Sequence, residues 1–513
     1  MPKDFDFGGI SLTAGGDSSG ARPSPETPFR IAILGDFSGR ANRGLSEAKT
    51  IGKRHAVLVD RDNFDEVLAR SGAEIQLAFG DGSLQLHFSE LEDFHPDRIF
   101  QQLQAFSKLR GLRARLEDPA TFQQTADELG LGSSRSVPEA PKPDTLPAAV
   151  PSAERLASGS LLDEMIEQTE SRIADDGYRR KPDEVREFAQ RVAAGHLVSA
   201  PDARQPEILS VIDRGVGALM RAVLHNRDFQ ALEAIWRATF LLVRELETGS
   251  ELKLYLIDVS KEELAADLKS ATDLRDTGMY RLLVEQSVET AGAEPWAVIV
   301  GNYSFGSRSE DAETLSRMAA IAHRAGAPFL AEANCGLLGC ASLASAPHPR
   351  EWKMPQELSA AWIEFRRRPE ASSIGLALPR FLLRLPYGKQ TSPAESFDFE
   401  EFPEPPVHED YLWGNPAFAL ALLLAQSFSH AGWDMRPGTM TEIDRLPLHV
   451  YGKQGESEVK PCAELLLTED AGARLLEEGL IPLLSLKDRD RVRVMRFQSI
   501  ADPLRGLAGR WTH

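Results

Sequence analysis

A short apolar stretch that ends in glycine is the first candidate for chemistry. Residues 28–40 read PFRIAILGDFSGR, and a glycine-containing loop after a buried strand holds phosphate in many nucleotide-binding proteins. A Walker A loop needs four residues between its glycines and then Lys, whereas three residues separate Gly35 from Gly39 and Arg40 follows. We therefore expect Gly35, Asp36 and Gly39 to form a turn that defines the fold, since glycine adopts backbone shapes closed to other residues.

The three cysteines are the next candidates, as metal ligands or nucleophiles. Cys335 and Cys340 have four residues between them, and His323 and His348 lie in the same part of the chain. A zinc site normally brings a second tight pair of ligands, and none accompanies these cysteines. We expect packed free thiols, with no metal site, catalytic residue or cofactor. The spacing leaves a Cys–His nucleophile pair open.

Composition limits the classes of partner and location. The 513 residues carry a formal net charge of −19, which argues against nucleic acid as the main partner because phosphate neutralisation needs a basic surface. The low, odd cysteine count favours a reducing cytoplasm. The amino terminus lacks the apolar core of a secretory signal. The longest apolar run, residues 417–425, is far shorter than the ~20 residues that span a bilayer. We expect a cytoplasmic protein without membrane insertion.

The pattern of strands and helices predicts an α/β fold, with mixed sheets flanked by helices. Residues 29–36 read as a buried strand, and residues 73–88 read as a β-hairpin around Gly-Asp-Gly. Further along, the predicted strands LKLYLIDV, PWAVIVGNYSF and PFLAEA alternate with predicted helices. Such alternation favours parallel pairing.

Two helix starts are readable in the first part of the chain. Asn63 is the expected N-cap of a helix, with Glu66 three residues on as in a capping box. Residues 95–122 are expected to be helical with Pro96 in the first turn, where proline is tolerated.

Linker-like composition divides the chain into four parts. Residues 130–160 are rich in Pro, Ser and Ala, and we expect the main domain boundary there. Residues 28–129 and 161–513 are the two expected domains. Residues 1–27 are expected to form a flexible arm with a short strand, because a Gly/Ser/Pro linker follows DFDFGGISL.

Two segments are candidate interfaces with other molecules. An alternating strand on a flexible linker can join a sheet edge of another molecule, because unpaired backbone groups recruit strands. A frayed terminus fits the composition equally. A basic run at a predicted helix end could meet an acidic patch on a neighbouring copy, although most such runs are solvated. The candidate interface residues are Phe5, Phe7, Ile10 and Leu12 in the arm, and Arg366, Arg367 and Arg368 in the basic run.

Two ordered sets of sequence blocks resemble the contractile sheath of the type VI secretion system. Residues from about 28 to 125 resemble the small sheath subunit through PFRIAILGDFSGR, VDRDNFDEVLA and LHFSELEDFHPDRIFQQLQAFSKLRGLRARL. Residues from about 205 to 500 resemble the large subunit. The matching blocks there are VLHNRDFQALEAIWRATFLLV, LIDVSKEELAADL, PWAVIVGNYSF, AIAHRAGAPFLAEA, IGLALPRFLLRLPYG, HEDYLWGNPAFALALLLAQSF, AGW, KPCAELLLTED and LLEEGLIPLL. The chain thus resembles a natural fusion of a small-subunit-like and a large-subunit-like half.

The resemblance implies mechanical rather than enzymatic work. Members of this family assemble as six-protomer rings, stacked into a helical sheath that contracts and propels an inner tube. The implied partners are further copies of the chain, the inner tube protein, baseplate components and a AAA+ ATPase that recycles the sheath. The resemblance also makes the LGDFSGR block a structural element and gives the arm a part in strand exchange between protomers.

The sequence departs from the family at three places. The segment that normally follows FQSIADP in large subunits is missing, and the amino-terminal helical region of the large subunit is shortened. A family Gly-Asp-Tyr block reads Gly301-Asn302-Tyr303 here. The missing segment keeps an alternative function open: a non-polymerising sheath-like adaptor, cap or baseplate-associated component. An enzyme built on the same fold would need a role for His323 or Cys335.

Overall fold

The computed structural model describes residues 4–7, 10–13, 23–79, 82–129, 204–353, 359–402, 406–453 and 455–511. The chain forms two compact units. The first contains Met1–Ser107 and Asp213–His513, and the second contains Lys108–Ile212. Within the first unit, we call residues 23–107 the N-terminal segment and residues 213–511 the C-terminal segment.

The strands are short and most of them lie in the C-terminal segment. They are β1 (Asp4–Phe7), β2 (Ile10–Thr13), β3 (Phe29–Gly35), β4 (Val57–Val59), β5 (Ala73–Phe79), β6 (Gly82–Phe88), β7 (Leu252–Asp258), β8 (Val298–Phe305), β9 (Phe329–Ala333), β10 (Ile374–Leu378), β11 (Phe381–Leu382), β12 (Trp413–Gly414), β13 (Glu442–Ile443), β14 (His449–Lys453), β15 (Glu456–Lys460), β16 (Ile481–Ser485) and β17 (Val492–Val494).

Helices account for much of the remaining described chain. The α-helices are α1 (Phe64–Ser71), α2 (Pro96–Gln102), α3 (Gln104–Glu117), α4 (Pro119–Glu128), α5 (Gln205–Leu224), α6 (Arg227–Glu245), α7 (Lys261–Lys269), α8 (Gly278–Tyr280), α9 (Ser309–Ala325), α10 (Ala360–Arg367), α11 (Pro416–Ala431) and α12 (Glu469–Glu477). A π-helix spans Arg281–Glu289. Short 3₁₀ helices span Ala48–Lys53, Leu91–Phe94, Leu274–Asp276, Cys335–Leu338, Pro349–Glu351, Pro369–Ser373, His408–Asp410 and Gly432–Asp434.

A nine-stranded mixed sheet forms the centre of the first unit. Its order is β13-β17-β16-β10-β9-β8-β3-β7-β4. The inner strands from β16 to β7 pair in parallel, and the outer pairs β4–β7, β16–β17 and β13–β17 are antiparallel. The predicted α/β class with mixed sheets and flanking helices is confirmed.

Strand β3 lies deep inside this sheet although it comes from the N-terminal segment. All its residues except Arg30 are buried, as expected for a parallel strand covered on both faces. It pairs with β7 on one side and β8 on the other, and Ile33 lies opposite Leu256 and Val300. The two segments of the first unit therefore share one sheet.

The second unit is a small helical cluster. Phe122 and Ala126 on α4 pack with Leu116 on α3 and Ile208 on α5. The side-chain amide of Gln205 donates a hydrogen bond to the Leu116 carbonyl at 2.7 Å, which fastens the start of α5 to the end of α3.

Several local predictions are confirmed and two need correction. The hairpin over residues 73–88 is present as β5 and β6. A helix starts after Asn63, but the predicted capping box is wrong, because the Asn63 side chain accepts from the Asp60 backbone nitrogen at 2.9 Å instead. Residues 95–122 form three helices rather than one, since proline at position 119 starts a new helix.

The predicted linker at residues 130–160 lies outside the described residues. The sequence also predicts helices from Leu161 to Ala194, and these residues lie outside the described structure as well. The division into two sequence domains therefore stays a prediction. Within the described ranges, no helix combines the length and the apolar character that crossing a membrane requires.

Candidate functional site

The carboxyl end of β3 lies where the strand order of the sheet reverses. Strands β7 and β8 follow one another in the sequence, yet they lie on opposite sides of β3. All three run parallel, so the loops that follow them meet at one edge. Open α/β sheets bind ligands at this edge beside such a reversal. The loop of residues 36–41, here called the β3 loop, occupies that position.

The backbone donors of the β3 loop are taken up by carboxylates of the chain itself. Asp258, the last residue of β7, accepts hydrogen bonds from the backbone nitrogens of Phe37 at 2.8 Å and Ser38 at 3.2 Å. Asp36 accepts one from the backbone nitrogen of Arg40 at 2.6 Å. Burial and repulsion from Asp258 raise the pKa of Asp36, and the backbone donors lower it. The net effect is a raised pKa. A bound phosphate would need these backbone donors, but here they donate to Asp258 and tie the β3 loop to β7.

Glu263 on α7 collects donors from both segments. Its side chain is 0% exposed and accepts hydrogen bonds from Arg54 Nη2 at 2.7 Å and Arg40 Nε at 3.2 Å. The backbone nitrogens of Glu47 at 2.8 Å and Ser260 at 3.2 Å donate to the same carboxylate. Burial would raise the pKa of Glu263, but these hydrogen bonds outweigh burial and lower it to about 2. The ionised carboxylate therefore fastens the N-terminal segment to α7.

Two glycines let the β3 loop approach its neighbours. A Cβ atom on Gly35 would overlap the Cδ1 atom of Ile235 on α6. Gly39 has a φ of +74°, in the left-handed region that favours glycine, and a Cβ there would overlap the Glu74 carbonyl oxygen. Larger residues at either position would push the loop away from the C-terminal segment or from β5.

An aromatic cluster covers the apolar side of the β3 loop. The indole nitrogen of Trp236 on α6 donates a hydrogen bond to the Phe37 carbonyl at 2.9 Å. The rings of Phe37 and Phe64 both meet the Trp236 ring edge to face, at centroid distances of 5.2 and 5.8 Å. Phe37 and Phe64 belong to the N-terminal segment. Trp236 therefore holds that segment both through ring contacts and through a hydrogen bond.

A second, buried ionic cluster lies within the C-terminal segment and contacts the N-terminal segment through one tyrosine. Arg384 lies between two fully buried carboxylates, with its Nε 2.8 Å from Glu233 Oε1 and its Nη1 2.7 Å from Glu401 Oε2. Burial would raise the pKa of Glu401, but Arg384 and further donors lower it to about 2. The backbone nitrogen of Tyr387 donates a hydrogen bond to Glu401 at 2.7 Å. The hydroxyl of Tyr387 donates one to the Phe94 carbonyl at 3.4 Å. Through Tyr387, the cluster reaches the N-terminal segment.

Asp97 adds a third tie next to this cluster. Its carboxylate accepts hydrogen bonds from the backbone nitrogens of Glu395 at 2.9 Å and Ser396 at 2.8 Å. Burial would raise the pKa of Asp97, but these backbone donors lower it overall. We call the β3 loop, the Glu263 cluster and the Arg384 cluster together the joint.

Sequence reasoning selected the glycines of the joint and missed most of its charged residues. Gly35, Asp36 and Gly39 were predicted as a turn, and all three lie in or beside the β3 loop. The missed residues are Glu233, Asp258, Glu263, Arg384 and Glu401. One signal was available, because charged residues inside apolar stretches such as RFLLRLPYG need buried partners. A capping box between Ser260 and Glu263 identifies a local role, but not the arginines.

The predicted arm residues pair within the chain in the structure. Strands β1 and β2 form an antiparallel hairpin in which Phe5 lies opposite Leu12 and Phe7 lies opposite Ile10. Only the backbone of these residues belongs to the described structure. Their part in strand exchange stays a prediction.

The three predicted arginines of the basic run have different surroundings. Arg366 is partly buried and its Nε donates to the Ile500 carbonyl at 2.7 Å, so it ties α10 to the end of the chain. Arg368 pairs with Glu364 at 2.7 Å and is about half exposed. Arg367 is exposed. Arg367 and Arg368 therefore offer the charge that another molecule could reach.

The joint defines a protein in which two segments of one chain share a single sheet and are fastened to each other by buried charges. Residues 206–501 match the family described as "EvpB/VC_A0108, tail sheath N-terminal domain" (VipB). Residues 10–129 match the family described as "Type VI secretion system, VipA, VC_A0107 or Hcp2". The chain belongs to the type VI secretion sheath family, and the predicted fusion of small-subunit-like and large-subunit-like halves is confirmed.

A curated relative supports this assignment. The chain is 31% identical over 372 residues to "Type VI secretion system sheath protein TssC1" of Pseudomonas aeruginosa. The matched region covers 69% of this chain and 74% of the relative.

Proposed function

We propose that this protein is a structural subunit of a type VI secretion contractile sheath. Copies of the chain polymerise around an inner tube in stacked six-membered rings, and contraction propels the tube. The observation that carries the proposal is the union of both sheath families in one chain whose segments share a single sheet. A fused chain supplies both sheath components in equal numbers.

The energy for contraction then resides in contacts between copies. A device that moves when its copies change their mutual contacts needs two arrangements separated by a free-energy gap. A ligand or a neighbouring copy shifts the balance only if it binds the two arrangements with different affinity. About 2–3 kcal/mol per copy is enough to bias each protomer strongly towards one arrangement. The joint supports this division of roles, because the pairing of β3 with β7 and the buried Arg54–Glu263 ion pair hold the two segments together.

The amino-terminal arm is the proposed connection between protomers. Heterologous contacts that do not close produce open helical filaments, which a stacked sheath requires. A strand donated to a neighbour keeps rings connected while they slide, since its backbone hydrogen bonds do not depend on ring spacing. Phe5, Phe7, Ile10 and Leu12 supply the apolar side chains of that strand.

The remaining partners are proposed from the family. They are the inner tube protein, baseplate components and the AAA+ ATPase that recycles the sheath, and Arg367 and Arg368 are proposed to face the tube or a neighbouring copy. We also propose a cytoplasmic location and a non-enzymatic role, with no cofactor and no nucleic-acid partner. The net charge of −19 and the occupied donors of the β3 loop support these proposals.

Electron microscopy of the purified full-length chain tests the proposal. Tubes or stacked rings are expected at high protein concentration, and sedimentation velocity should show the corresponding large species. A chain that stays monomeric at high concentration, with and without the inner tube protein, contradicts self-assembly.

A pair of matched arm variants tests the strand exchange separately. Phe5→Ala with Phe7→Ala removes the apolar side chains of β1, and Asp4→Asn with Asp6→Asn changes neighbouring positions in the same strand. Polymer is expected to disappear in the first variant and to persist in the second. Polymer that forms equally well in both variants contradicts the role of the arm but leaves self-assembly standing.

A further inference from the structure

Two of the three cysteines lie side by side in one turn after β9. Asn334 follows the last residue of the strand, and its side chain accepts a hydrogen bond from the Gly336 backbone nitrogen at 2.8 Å. A 3₁₀ helix over Cys335–Leu338 follows, and Gly339 closes it with a φ of +69°. The turn therefore brings Cys340 back towards Cys335.

Backbone and side-chain contacts connect the two cysteines directly. The Cys340 backbone nitrogen donates to the Cys335 carbonyl at 3.4 Å, and the Cys340 Sγ lies 3.6 Å from the same oxygen. In the second of these contacts the Cys340 thiol is the donor, and the two thiols are close enough to shift each other's pKa. Leu337 and Leu338 between them are buried in the main core, which fixes the turn. The cysteines are thus held close without any contact from another molecule.

Solvent reaches this pair, in contrast to the third cysteine. Cys335 and Cys340 are both partly exposed, whereas Cys462 is buried. Cys335 also lines a polar cavity of about 360 Å³, together with Glu332, Arg380 and Glu464. A small polar oxidant can therefore reach the partly exposed Cys340 from solvent, and the cavity admits it beside Cys335 as well.

We propose that Cys335 and Cys340 form a thiol-oxidation site that closes into a reversible disulfide when a peroxide is the oxidant. Nothing in this proposal depends on sheath assembly. The structural basis is the shared turn, the contacts of the Cys340 thiol and backbone nitrogen with the Cys335 carbonyl, and the open cavity.

The two cysteines have different parts in the reaction. The hydrogen bond from the Cys335 thiol lowers the pKa of Cys340, and the same hydrogen bond, with burial, raises the pKa of Cys335. The thiolate is the nucleophilic form, so Cys340 is the residue that attacks. Cys335 is the resolving thiol.

The steps balance with hydrogen peroxide as the oxidant. The Cys340 thiolate attacks one peroxide oxygen, so an S–O bond forms, the O–O bond breaks and hydroxide leaves, which gives a sulfenic acid. Cys335 then loses its proton and attacks the Cys340 sulfur, so the S–S bond forms, the S–O bond breaks and water is released. Two thiols lose two electrons in total, and one peroxide becomes two waters. A dithiol reductant reverses the change.

Alkylation and mass spectrometry of the full-length folded protein test the site. The protein is treated with hydrogen peroxide, blocked with iodoacetamide, unfolded and digested. A disulfide within the peptide that holds Cys335 and Cys340 is expected, with Cys462 still a free thiol, and dithiothreitol should restore both thiols. Peroxide treatment that leaves both cysteines reduced, or oxidises them without joining them, overturns the proposal.

Variants at Cys335 test the hydrogen bond between the thiols. Cys335→Ala removes the donor, so alkylation of Cys340 at pH 7 should slow about threefold or more as its pKa returns towards the usual range. Cys335→Ser keeps a donor and should preserve most of the rate, and it should let a dimedone-reactive sulfenic acid persist at Cys340. Equal Cys340 alkylation rates in Cys335→Ala and the unmodified chain overturn the assigned order. The experiment on the unmodified chain stays decisive if a variant fails to fold.

Discussion

Replacing Glu263 with Gln is the sharpest test of the joint. The substitution keeps the shape of the side chain and removes its charge at a position that is 0% exposed. Arg54 Nη2 at 2.7 Å and Arg40 Nε at 3.2 Å then lose the anion that they surround. Both arginines belong to the N-terminal segment, so the change weakens the hold of that segment on α7.

The size of the effect follows from the pKa of Glu263. A decrease from 4.5 to about 2 corresponds to about 3 kcal/mol of extra stabilisation of the ionised form, at about 1.4 kcal/mol per pH unit. Because the folded-state pKa is the lower one, this contribution is complete above about pH 4.5 and is lost as the pH falls towards 2. At pH 7 we therefore expect Glu263→Gln to lower the free energy of unfolding by about 2–3 kcal/mol. The lower value allows for the 16% and 14% exposure of Arg40 and Arg54.

Glu262 on the same helix provides a matched control. It is exposed, so Glu262→Gln makes the same chemical change without touching the joint and should alter stability by less than about 0.5 kcal/mol. Urea unfolding at pH 7, followed by tryptophan fluorescence, compares the two variants. Equal stability of Glu263→Gln and Glu262→Gln would refute the reasoning, because the buried carboxylate would then contribute nothing through its arginines.

Three further predictions concern the same joint. Gly35→Ala should destabilise the protein by about 1–3 kcal/mol in thermal denaturation, since the new methyl group meets Ile235, and Ile235→Val should recover part of the loss in the double variant. Arg384→Met should cost about 3–5 kcal/mol by removing the arginine that lies between two buried carboxylates, whereas the exposed Arg367→Met should stay within about 0.5 kcal/mol; equal values would contradict the role of the cluster. A protease site inserted within residues 130–160 allows the chain to be cut into an amino-terminal and a carboxyl-terminal fragment. The two fragments should stay associated in gel filtration without denaturant, because β3 of the first lies between β7 and β8 of the second. Fragments that separate would argue against this packing.

Local features of the fold were readable from the sequence because local chemistry determines them. The run FRIAILG is short, apolar and ends in glycine, and it forms β3. Alternation around Gly-Asp-Gly gives the hairpin of β5 and β6. The stretch GMYRLLVEQSVETA reads as a helix in the sequence and is helical, but most of it is a π-helix over Arg281–Glu289. Residue periodicity does not distinguish the two hydrogen-bond patterns over nine residues.

The place of β3 in the sheet could not be derived from the sequence. Consecutive strands usually lie side by side, which would put β3 next to β4 and β5, yet its neighbours come from more than 200 residues further along. The same separation hides the partners of Glu263, because periodicity shows a charged residue but not what surrounds it. The role of Asp258 could not be predicted either, because the sequence shows it only as a polar residue at the end of an ordinary strand.

The joint explains why the fused chain suits a contractile device. Contraction requires that some contacts break while others persist, so the contacts inside each protomer must cost more to break than those between protomers. Carboxylates at Glu263 and Glu401, each with a pKa lowered to about 2, stay ionised throughout the physiological pH range and keep their arginines bound. Breaking the Glu263 cluster, which joins the two segments, costs about 3 kcal/mol, which equals or exceeds the gap proposed for each copy. A change in the contacts between copies therefore costs less free energy than separation of the two segments within a copy, so the segments of one chain move together.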